Sequence, residues 1–170
     1  MKELAQLLNE MLAAGVIENY ALFGAVAQMR YTEPVATIDA DLLIAVPEKK
    51  GLDILKGVYA FCSKKGYPIE GEAIKVGAWP VQFIPAFSPL TQEAMEKAET
   101  ADFEGVPLRV VRADYLAVIA LSVGRPKDLT RILALIESGS IKLEEIRKLA
   151  GKFGLSEAWK RFGKKFSDEK

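Results

Sequence analysis

The chain has no histidine and only one cysteine, Cys62. The first absence removes imidazole as a general base, a nucleophile or a metal ligand. A metal site would therefore be built from oxygen and would favour magnesium, manganese or calcium. A lone cysteine forms no internal disulfide, which fits a reducing compartment. Net charge is missing too: 23 basic residues balance 23 acidic ones, so the total designates no charged partner. The sequence shows no signal-peptide pattern and no apolar run of spanning length. The expectation is a cytoplasmic protein without a membrane partner.

What is present suits a soluble domain. Half of the 170 residues are apolar, enough for a core of useful size at this length. The charge is unevenly placed, because from Lys142 onward nine basic residues face five acidic ones. Eight of the nine (Lys142, Arg147, Lys148, Lys152, Lys160, Arg161, Lys164 and Lys165) form either a solvated face or a surface that attracts RNA. Trp79 and Trp159 read as packing residues.

Apolar spacing and turn residues predict the order of elements. Helix is expected over 2–14, strand over 20–23, and a helix from Gly24 to near Tyr31. Strand follows over 39–46, helix over 52–65, and strands over 72–78 and 80–87 with a bend at "AWP". Helix over 90–98 precedes a hairpin turning at Glu104-Gly105. Beyond Ala113 the pattern is helical throughout, over 114–123, 126–137, 143–152 and 155–165. The fold class expected is α+β: a small mixed β-sheet flanked by helices, followed by a C-terminal helical bundle. The division expected is an α/β domain over 1–112 and a helical region over 113–170 packed on it.

Three patches carry chemistry. In "ATIDADLLIAV", residues 36–46, Asp39 and Asp41 open an apolar strand. Residues two apart on a strand share a face, so two like charges project side by side and repel. A divalent cation reverses that repulsion by taking both as ligands, and magnesium held by one or two carboxylates usually brings substrate phosphates with it. A turn cap at Asp39 with a solvated Asp41 satisfies the pattern as well. In "YALFGAVAQMRY", residues 20–31, strand, glycine and helix succeed one another. Gly24 allows close backbone approach, and the helix N-terminus offers unpaired N–H groups to a phosphate. Packing alone also produces such units. In "SVGRPKDLTRI", residues 122–132, Pro126 and Asp128 suit the first turn of a helix, while Arg125 and Lys127 add positive charge. A plain helix–helix junction reads the same way.

In this order, the patches resemble the nucleotidyltransferase superfamily of polymerase-beta type, and within it the branch of abortive-infection toxins and related uncharacterised proteins. Gly24-Ala25 looks like the superfamily's Gly-Gly or Gly-Ser turn. Thr37, Asp39 and Asp41 are in register with its T-x-D-x-D strand, and Arg125, Lys127 and Asp128 match its Arg-x-Lys-Asp core. The resemblance implies transfer of a nucleoside monophosphate from a Mg-NTP (or Mn-NTP) to a hydroxyl on RNA, protein or a small molecule. It implies metal at Asp39 and Asp41, phosphates at Gly24 and Ala25, Thr37 beside them, and Arg125 and Lys127 as electrostatic partners ordered by Asp128. For the toxin branch it also implies an antitoxin partner. Three positions depart from the pattern. Gln82 stands where a third carboxylate is usual, Ala120 where a lysine is usual, and Arg131 where a further aspartate is usual. A glutamine can coordinate but is no base at neutral pH. The departures imply slow transfer, or a degenerate module that binds nucleotide or a partner without turnover. Glu72, on the preceding predicted strand, is the candidate substitute acid.

Overall fold

A computed structural model of the chain describes residues 1–47 and 54–167. They divide into two compact units: Met1–Ala27 with Val35–Val111, and Gln28–Pro34 with Arg112–Lys170.

The first unit is built on one mixed sheet of seven strands: β1 (Asn19–Phe23), β2 (Ala40–Ala45), β3 (Ile69–Glu70), β4 (Ala73–Val76), β5 (Trp79–Pro85), β6 (Glu99–Phe103) and β7 (Val106–Val110). Their order across the sheet is β3-β4-β5-β2-β1-β7-β6. The acidic strand β2 is near the middle, antiparallel to β1 and parallel to β5. Ala40, Leu42 and Ile44 of β2 share a face with Val81 and Phe83 of β5 and with Tyr20 and Leu22 of β1, and all seven are buried. Helix α1 (Lys2–Ala13) covers this face, turning Leu4, Leu7, Leu8 and Met11 inward. The Tyr20 hydroxyl reaches Asn9 of α1 at 3.4 Å. Opposite lies the face of Phe23, Asp41 and Gln82. There Arg109 of β7 donates to the carbonyls of Met95 and Glu96 at the end of α4 (Pro89–Glu96), at 2.9 and 3.3 Å.

Turn chemistry closes the hairpins. Glu104 and Gly105 both have positive φ, 54° and 82°, as a type I′ loop requires. Gly105 N–H also donates to Asp102 Oδ1 at 3.0 Å. The β4–β5 turn falls at Gly77-Ala78 rather than at "AWP", because Gly77 accepts a φ of 59° and frees Trp79 to pair with Val76. Pro80 then stands second in β5, near the strand's start, where a missing N–H is tolerated.

Two further elements differ from expectation, and one expected boundary lies outside the described residues. Helix α2 (Gly24–Gln28) stops after five residues; the Gln28 carbonyl accepts from Tyr31 and Thr32 N–H at 2.8 and 3.1 Å and turns the chain away. Helix α3 (Lys56–Lys64) has its expected start at Leu52 outside the described residues. The two-residue β3 was too short to carry a period, and Glu72 lies in the turn after it.

The second unit holds α5 (Ala113–Val123), α6 (Pro126–Glu137), α7 (Leu143–Lys152) and α8 (Ser156–Ser167). Helix α5 buries Ala113 and every residue from Tyr115 to Leu121, and packs against α6, α7 and α8. Gly124 ends it in the left-handed conformation, the usual glycine stop. Among the described residues no helix is long and apolar enough to cross a membrane. The architecture is the α+β arrangement expected: a mixed sheet flanked by helices, then a helical region.

Candidate active site

Asp39 is the last residue before β2 and Asp41 is the second residue in it. Register puts Asp41 beside Phe23 on one side and Gln82 on the other. Paired residues of a sheet share a face, as do residues two apart, so Asp39, Asp41 and Gln82 converge at one end of the strand. The contacts agree. Gln82 Nε2 donates to Asp39 Oδ2 at 3.3 Å. The Thr37 hydroxyl lies 3.1 Å from the Asp39 carbonyl and 3.3 Å from its Oδ1. Its single proton serves one of the two at a time. Asp39 is thus held from both sides, its carboxylate steered by a strand residue and a loop residue.

Gly24 completes the group. Its φ is 69°, and a side-chain carbon built there would collide with Asp41 Oδ2 and stand 3.1 Å from Asp41 Cγ. The Asp41 carboxylate therefore lies directly on the Gly24 backbone, which only a residue without Cβ permits. Ala25 follows in the first turn of α2. That helix is shorter than its apolar run suggested, so its dipole adds little and the close glycine backbone is the principal feature. Gly24→Ala is expected to cost about 1–2 kcal/mol from the left-handed conformation alone, with more from the collision. Urea denaturation measures that loss, and equal stability of Gly24→Ala and wild type would contradict the close approach of the Asp41 carboxylate.

Arg125, Lys127 and Asp128 form a separate group in the second unit, at the start of α6. Asp128 is buried, and its carboxylate takes Arg125 Nε and Nη2 at 2.7 and 3.2 Å. It also caps the helix by accepting from Arg125 N–H at 3.2 Å. Lys127 is exposed. Arg131, the residue in place of an expected aspartate, approaches Asp128 Oδ1 at 3.6 Å and donates from Nε to Gln28 Oε1 at 3.0 Å. Gln28 is buried in turn and lies 3.3 Å from the Thr32 hydroxyl. This chain of contacts is why residues 28–34 group with the C-terminal helices. Asp128 and Arg131 are three apart on a helix, a spacing that could have revealed their pairing. Gln28, 103 positions from Arg131, left no such signal. Ala120 is buried in α5 and supplies no cation.

Glu72 lies in the turn after β3 rather than on the strand beside Gln82. The β4–β5 register pairs Ile74 with Val81, and one further step along it would bring Ala73, not Glu72, opposite Gln82; the Glu72 carbonyl accepts from the Tyr59 hydroxyl at 3.0 Å. Among the described residues no three acidic or cysteine side chains gather as a metal cluster. Two carboxylates and an amide oxygen still suit a magnesium whose remaining ligands are phosphate and water. A cavity of about 620 Å³, lined by Leu55, Tyr59, Ile69, Pro85 and Phe87 among others, lies away from the carboxylates. Pro85 pairs with Ile44, toward the far end of β2.

No family profile matches the chain, and no curated protein matches its sequence. Its fold has solved counterparts. An antigenic nucleotidyltransferase-like protein from Paracoccidioides brasiliensis superposes with a TM-score of 0.57 at 16% identity, covering 94% of this chain and 91% of the other. ANT(2'')-Ia in complex with adenylyl-2''-tobramycin gives 0.52 at 16% identity, covering 88% and 96%. The chain has the nucleotidyltransferase fold.

Proposed function

We propose that the protein transfers a nucleoside monophosphate from an NTP, bound with Mg²⁺ or Mn²⁺, to a hydroxyl acceptor. The observation that carries this reading is the seating of Asp41 on the Gly24 backbone, with Asp39 held beside it by Thr37 and Gln82. A phosphate reaching the Gly24 and Ala25 amides would meet both carboxylates. Asp39 and Asp41 would hold the metal, which when bound would neutralise charge developing on the triphosphate. The assignment of Arg125 and Lys127 to nucleotide binding rests on their motif, and the two-point grip of Asp128 on Arg125 supports the ordering role. That a protein of this fold is bound to an adenylylated small molecule accords with the reaction class.

A second reading, a module that binds nucleotide or a partner without turnover, is favoured by one observation. Gln82 occupies the third position and donates to Asp39, so it cannot take a proton from an attacking hydroxyl. General-base assistance contributes about 10²–10⁴-fold, and its absence predicts slow transfer. Gln82→Asp separates the readings. With labelled NTPs and RNA, protein and small-molecule acceptors, the variant should label its acceptor at least about tenfold faster than wild type. Silence of both proteins at saturating Mg²⁺ would favour the binding module.

A further inference from the structure

The outer face of α8 carries a feature that the proposed reaction does not use. Lys160, Arg161, Lys164 and Lys165 are all exposed, whereas Trp159, Phe162 and Phe166 line the other side. At 100° per residue the four cations fall within an arc of about 140°, and the three aromatic residues are centred nearly opposite. Glu157 is the helix's one acid and pairs with Lys160 at 2.7 Å, but both side chains are largely exposed, so the pair is weak. Cations near a helix C-terminus offset its dipole, which accounts for Lys164 and Lys165. It does not account for Lys160 and Arg161 in the first half of the helix, in a chain whose total charge is zero.

We infer that this face of α8 binds the phosphodiester backbone of a nucleic acid. The inference is independent of the proposed transfer chemistry. A lipid surface fits less well, because an amphipathic helix binds lipid through its apolar face. Here that face is occupied: Phe162 is buried, Trp159 stacks on it at 5.3 Å with 14° between planes, and α8 packs on α5 and α7. What remains outward is charge alone, which recognises phosphate and reads neither base nor sugar.

The test is fluorescence anisotropy with the full chain and a labelled 20-nucleotide single-stranded RNA, in parallel with DNA of the same sequence. The two should bind within about threefold of each other. Three to four neutralised phosphates give a logarithmic salt slope of about −2 to −3, so affinity should fall on the order of 30-fold between 50 and 200 mM salt. Lys160→Glu with Lys164→Glu should reduce affinity at least tenfold at 50 mM salt. Arg161→Gln with Lys165→Gln should reduce it less while leaving the thermal melt unchanged. Wild-type affinity in both variants, no binding at 50 mM salt, or tighter binding to phosphatidylserine vesicles than to the oligonucleotide would overturn the inference.

Discussion

Replacing Asp39 and Asp41 together by asparagine is expected to abolish Mg²⁺-dependent nucleotide binding, a loss of at least about 100-fold. Outer-shell changes at metal sites already cost 10–100-fold, and here both charged ligands would go. The fold should survive. Neither carboxylate is fully buried, and asparagine can still accept from Gln82 and the Thr37 hydroxyl. Removing one or both of two neighbouring like charges should, if anything, steady the metal-free protein. Isothermal titration with an NTP, with and without Mg²⁺, reads the effect, and a urea melt controls for folding. Retained metal-dependent affinity in the double variant would move the site elsewhere.

The largest effect on stability is expected at Asp128. Its side chain is 1% exposed and sits between Arg125 and Arg131. Removing one member of a buried pair costs about 3–5 kcal/mol. Arg125, more than half exposed, can turn to solvent, which lowers the expectation for Asp128→Ala to about 2–4 kcal/mol. Against a total stability of about 5–15 kcal/mol that is a large share. Arg131, only 17% exposed, would keep its bond to Gln28 but lose the nearby Asp128 charge. Asp128→Asn keeps an acceptor for the helix cap and should lose less. Equilibrium urea unfolding of both variants checks the order, and equal losses would show that the charge rather than the cap matters.

How much of this was legible can be followed residue by residue. Helix α6 was readable to the residue because Pro126 and Gly139 bracket an apolar period. The β6–β7 hairpin was readable because Glu104-Gly105 is a sharp turn signal between two strand-forming runs. The acidic strand was also readable, since Leu42 to Ala45 is apolar without interruption. By contrast, α2 looked longer than it is, because the apolar spacing from Gly24 continues past the carbonyl of Gln28 that turns the chain. The turn at Gly77 was displaced by the more conspicuous Trp79-Pro80.

At the candidate site, strand period alone placed Asp39 and Asp41 on one face. The convergence of Gln82 on Asp39 and of Gly24 on Asp41 depends on strand register, which a single sequence does not print. The burial of Arg131 against Gln28 joins residues more than a hundred positions apart. Local spacing carries no trace of it.

The most direct measurement is a crystal structure with Mg²⁺ and a non-hydrolysable NTP analogue. The account predicts metal density bridging the Asp39 and Asp41 carboxylates, with phosphate oxygens against the Gly24 and Ala25 amides. Nucleotide seated elsewhere, for instance in the cavity beside Tyr59 and Phe87, with Asp39 and Asp41 contacting only protein and water, would contradict it.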